Sequence, residues 1–155
     1  MKYASLLLVS SLLLVTVCAK PPVDIEAETN AVKSVLDEYV KSVETEDMSL
    51  YESLVCQDTT RIYFGGFGTP ILGWNALKKV MEGQNEMLSD TKIGVSDLKI
   101  HISGDGKTAW ATSLWELKAK MAGNPITLPI RCTWVLGRDD KGWRIVHFHK
   151  SMPAG

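Results

Sequence analysis

His147 and His149 stand two residues apart near the end of the chain. On a strand that spacing puts both rings on one face, and a His-x-His pair can begin a metal site. Such a site needs three or four ligands. His101 is the only other histidine, and neither the cysteines nor the acids cluster at metal spacing. No metal and no other cofactor is expected, and the pair reads better as structural histidines at an interface. Gly65, Gly66 and Gly68 lack the Lys-Ser/Thr and the following helix that a phosphate loop requires, so they read as a flexible rim loop. No serine occupies a nucleophile elbow, and Cys56 and Cys132 have no acid-oriented histidine nearby in sequence; protease chemistry is not indicated. Local motifs name no reaction.

The elements that must position any site are clearer. Between Asp24 and Glu46, the residues Ala31, Val32, Val35, Leu36, Tyr39, Val40 and Val43 recur at the spacing of one helical stripe. Asp47 looks like the cap of a short second helix through Val55, and a third helix is expected over 73–88. Asp58 to Phe64 is β-rich, followed by a loop through Pro70. From Thr91 onward the period changes to two. Ala109, Ala111, Ser113, Trp115, Leu117 and Ala119 alternate with polar residues, and Gly-, Asn- and Asp-rich turns separate successive runs. Helices first and a long meander second predict an α+β fold, with a sheet spanning 91–151.

The chain has 155 residues, is 45% hydrophobic and 23% charged, and carries a net charge of −1. That suits one globular domain. It gives no basic footprint for nucleic acid. Lys2, the apolar run from Leu6 to Val17, and Val17-Cys18-Ala19 before Lys20 have the layout of a signal peptide. Residues 1–19 are therefore expected to be removed after Ala19, with 20–23 a short linker and 24–153 the domain. Export to the periplasm or the exterior follows, with a lipid anchor at Cys18 as the alternative. The apolar run is too short to span a membrane, which takes about 20 residues. An oxidising compartment would permit a Cys56–Cys132 disulfide; two free thiols acting as small hydrophobes is the favoured reading.

The ending Trp143-Arg144-Ile145-Val146-His147-Phe148-His149-Lys150-Ser151, after the turn Asp139-Asp140-Lys141-Gly142, resembles the last hairpin of the SnoaL-like branch of the nuclear transport factor 2-like superfamily. Within that branch it is most similar to the association (hub) domain of calcium/calmodulin-dependent kinase. The resemblance implies a cone: a long N-terminal helix and two shorter ones packed on a strongly curved antiparallel sheet, enclosing a pocket. It also implies a homodimer through the outer sheet face, where Trp110, Thr112, Leu114, His147 and His149 would lie.

What the resemblance implies about the site is mixed. The carboxylates of the isomerase members fall near Tyr63 and Cys132, so ketosteroid isomerase chemistry lacks its acids. The hub domain's pocket arginines fall at Trp115, about Thr133 and Lys150. Arg131 shares the face of Thr133, so Arg131 and Lys150 could grip an anion from an apolar wall, or could extend past the rim into water. By alternation, Val146, Phe148 and Lys150 would face the pocket together. Trp115, Phe148, Tyr39 and Tyr63 would form the wall, the tyrosines offering hydroxyls. Binding of a small anionic or partly apolar molecule is the leading expectation. An isomerase-, dehydratase- or cyclase-like enzyme without the usual carboxylate base stays open, as does an oligomeric scaffold.

Overall fold

The computed structural model describes residues 22–66 and 68–153. The expected leader, Cys18 included, lies outside the described residues. Helix α1 (Ile25–Glu44) starts where the Asp24 carboxylate accepts the Ala27 amide at 3.0 Å, satisfying a donor the helix itself cannot. Val32, Leu36, Tyr39 and Val43 form its buried stripe. Asp47 caps α2 (Met48–Leu54) in the same way.

The β-rich stretch after it folds differently from the expectation. Only β1 (Ile62–Tyr63) is strand, because the Asp58 carboxylate accepts both the amide and the hydroxyl of Thr60 at 2.7 Å and turns the chain there. An unforeseen β2 (Ile71–Leu72) pairs back on β1. Gly73 then opens α3 (Gly73–Met87) at φ 75°. A Cβ at Gly73 would lie 2.5 Å from the Thr59 carbonyl oxygen, so only glycine fits.

The strands β3 (Leu88–Ile102), β4 (Thr108–Met121), β5 (Asn124–Asp139) and β6 (Gly142–Ser151) pair consecutively as one antiparallel sheet. Alternation is strict in β4, whose buried residues run from Ala109 to Ala119 in steps of two. In β3 it is interrupted twice: the register jumps between Ser89 and Lys92 and between Ser96 and Lys99. Asp90 (φ 54°) and Asp97 (φ 53°) take left-handed backbone at those points, which short acidic side chains tolerate. Each bulge bends and twists the strand, so the sheet curves instead of lying flat. A third irregularity, beside Val135 and Leu136, sits at Val146 in β6.

The helix α1 is fastened across the concave side. At its C-terminal end Glu44 accepts the Ile93 amide at 2.7 Å; at its N-terminal end Glu28 accepts from Arg138 and, at 2.8 Å, from Trp143 Nε1. The free edge of β6 is covered by Val55–Cys56 and Phe64, which pair with it in parallel. That cover removes an exposed edge and leads the chain on to Gly65 and Gly66, which line the cavity described below. Among the described residues no helix is long and apolar enough to cross a membrane.

Candidate functional site

Inside the cone, between α3 and the inner faces of β4, β5 and β6, lies a cavity of about 720 Å³. Its wall is apolar: Leu77, Met81, Trp115, Leu117, Ile130 and Phe148 contribute, and Gly65, Gly66, Thr69 and Pro70 line one side. Among the described lining residues Lys150 is the one charged side chain. It projects from the last strand beside Phe148 because the bulge at Val146 resets the alternation. Trp143 and Ile145 point inward before the bulge; Phe148 and Lys150 point inward after it.

The Lys150 ammonium is ringed by aromatic faces. Its Nζ lies 4.6 Å from the Trp115 ring centre, 4.9 Å from Phe148, 5.0 Å from Tyr39 and 5.4 Å from Trp134, all within cation–π range. It donates to Tyr39 Oη at 3.2 Å, and that hydroxyl lies 3.3 Å from Tyr51 Oη. Lys150 forms no ion pair among the described residues, the nearest titratable neighbours being Tyr39 and the cross-strand Cys132. Burial without a counter-charge pushes its ammonium down from 10.5 to about 8. Burial pushes the others up: the Cys132 thiol to about 11, the Tyr63 phenol to about 12, and the Tyr39 and Tyr51 phenols well above 10. The site therefore holds one titratable cation amid groups that stay neutral.

Of the expected pocket residues, Trp115, Phe148 and Lys150 line the cavity. Tyr39 and Tyr63 do not: both are fully buried behind the wall, Tyr39 holding Lys150 and Tyr63 donating to the Cys56 carbonyl at 3.0 Å. Arg131 and Thr133 are on the opposite, outer face. Ile130, Cys132, Trp134 and Leu136 take the inner positions of β5, and alternation then sends their neighbours outward. Arg131 instead donates to the Met152 carbonyl at 3.0 Å. Val146 is likewise displaced, its Cγ1 lying against Gly137. Cys56 and Cys132 are both unbridged. The histidines face away from Phe148 but are engaged within the chain: His147 Nδ1 donates to the Ile62 carbonyl at 2.6 Å, and both rings meet Phe64 edge-on at 5.5 Å. No cluster of metal-ligating side chains occurs among the described residues.

The wall contributed by α3 escaped the sequence reading. Its stripe reads as ordinary core, yet Val80 and Met87, which line the cavity, stay 47% and 62% exposed. Large apolar side chains left wet around a hollow are the signal that could have marked it.

The sequence matches the model of the SnoaL-like domain over residues 32–155. The chain belongs to the SnoaL-like domain family. Solved structures share the fold. A nuclear transport factor 2-like superfamily protein from Salmonella enterica serovar Typhimurium aligns with a TM-score of 0.76 at 22% identity, over 84% of this chain and 94% of its own. A ketosteroid isomerase-like protein from Erwinia carotovora atroseptica gives a TM-score of 0.69 at 14% identity, over 83% and 98%. The CaMKII hub of S. rosetta gives 0.67 at 26% identity, over 86% and 100%. No curated protein matches the chain.

Proposed function

We propose that this SnoaL-like domain binds a small, mainly apolar anion inside the cone, with Lys150 meeting the negative group. The observation that carries this reading is the enclosed ammonium that faces an apolar cavity without a carboxylate of its own. An uncompensated buried charge is costly, and a bound carboxylate or sulfonate would compensate it. The volume of about 720 Å³ fits a drug-sized ligand, for which pockets run about 300–1,000 Å³. Binding is favoured over isomerase-type chemistry because no carboxylate lines the cavity among the described residues, leaving carbon-acid deprotonation without its usual base. The leader-like first nineteen residues support export as the setting, and the outer sheet face, with Trp110 and Leu114 exposed, supports pairing with a second copy.

Titration with 1-anilinonaphthalene-8-sulfonate, an apolar anion that brightens in dry sites, tests the reading. Saturable binding is expected, at least about 10-fold weaker in Lys150→Met, the size of one lost charged hydrogen bond. Arg131→Ala, on the outer face, should leave it unchanged. Equal affinity in wild type and Lys150→Met overturns the assignment.

A further inference from the structure

The aromatic floor does more than place a positive charge. A cation meant only to attract anions is commonly an arginine, permanently charged and forked. Here the cation is a lysine with no acidic partner among the described residues, its nitrogen held at 3.2 Å by the hydroxyl of a buried tyrosine, and its free side facing an apolar cavity. Those are the conditions under which a lysine becomes a carbonyl nucleophile: desolvation, no counter-ion and a fixed direction.

We propose that Lys150 condenses reversibly with the aldehyde or ketone group of an apolar ligand held in the cavity, forming a Schiff base. The inference rests on the cavity being a ligand site, as proposed above. In the step, the Nζ lone pair attacks the carbonyl carbon and the C–O π pair moves to oxygen. One amine proton transfers to that oxygen to give the carbinolamine. Nitrogen then expels the hydroxyl with the second amine proton, leaving C=N and one water. No oxidant or reductant is consumed. Tyr39, itself 3.3 Å from Tyr51 Oη, holds the amine through its hydroxyl and so sets the direction of attack. The groups facing Nζ are Tyr39 from α1 and Cys132 from β5, with Tyr51 of α2 behind Tyr39. All three are neutral near pH 7, and burial moves each further from titrating there. The free-amine fraction of Lys150 near neutral pH exceeds that of a surface lysine by about 10²-fold, given its shift from 10.5 to about 8.

The test is reductive trapping of the whole protein with 2-naphthaldehyde and sodium cyanoborohydride, followed by peptide mapping. Lys150 is expected to be modified at least about 10-fold faster than any other lysine near pH 7.5, with a rate that rises up to about pH 8 and then levels. Lys150→Arg should remove that adduct alone. Uniform labelling with no preference for Lys150 overturns the proposal, and the wild type alone decides it, whether or not the variant folds. Displacement of 1-anilinonaphthalene-8-sulfonate by 2-naphthoate separates the two readings. If displacement occurs but Lys150 is not preferred, the nucleophile fails and the binding site stands; if neither probe binds, both fail.

Discussion

Lys150 carries a pH signature that can be read without knowing any ligand. Its folded-state value of about 8 against an ordinary 10.5 means that the unfolded chain binds more protons between those limits. Stability from this group therefore rises with pH across that window, and the full penalty is present below about pH 8. At 1.36 kcal/mol per unit that penalty is roughly 3 kcal/mol. Cys132, pushed up to about 11, titrates in the opposite sense, but it is common to wild type and Lys150→Met. Denaturant unfolding of the pair is expected to show wild type gaining roughly 2 kcal/mol on the variant between about pH 7.5 and about pH 9.5. A gap that does not change with pH would mean that the ammonium is well solvated.

Among the elements, two joints fasten helices to the rest of the fold. Gly73 lets the chain leave β2 and enter α3 in left-handed backbone, pressed against the Thr59 carbonyl. Gly73→Ala should cost about 2 kcal/mol or more in a denaturant melt, from strain plus the clash. A neutral result would show that α3 can start elsewhere. Glu28 ties α1 to the far strands through Arg138 and the Trp143 indole. Replacing Glu28 with alanine strands that half-buried indole N–H, and a loss of about 1–2 kcal/mol in the same measurement is expected. Binding of 1-anilinonaphthalene-8-sulfonate should survive both changes at temperatures where the variants remain folded, since neither residue lines the cavity floor.

For the whole molecule, the outer sheet face carries an apolar patch. Trp110 stacks on His101 at 5.1 Å between ring centres, and Trp110 and Leu114 remain 46% and 44% exposed. Exposed tryptophan on a sheet is typical of partner surfaces. Sedimentation of the wild type is expected to give a homodimer at tens of micromolar, a range set by ordinary interface affinities. Trp110→Glu with Leu114→Glu should give a monomer with unchanged probe affinity, because those side chains point away from the cavity. A monomeric wild type at that concentration counts against pairing through this face.

Much of the architecture was legible from periodicity alone. Hydrophobic spacing in α1 and α3 and alternation in β4 are local patterns imposed by burying one face, so they survive without tertiary knowledge. The short hairpin β1–β2 was missed because two-residue strands have no period to read. The site was harder for two physical reasons. Side-chain direction on a strand flips with a one-residue offset, so a match that is approximate at Thr133 aims Arg131 and Thr133 inward, while the burial of Cys132 and Trp134 sends them outward. The environment of Lys150 depends on partners distant in the chain: Tyr39 lies 111 residues away, and Trp115 and Trp134 reach it only once the curved sheet brings β4, β5 and β6 around the same point. Residue type and strand parity named Lys150 and Phe148 as inward-facing. That the lysine is enclosed by four rings, and that the space before it is hollow, came from long-range packing, because a cavity is volume the folded elements leave unfilled and no local pattern records it.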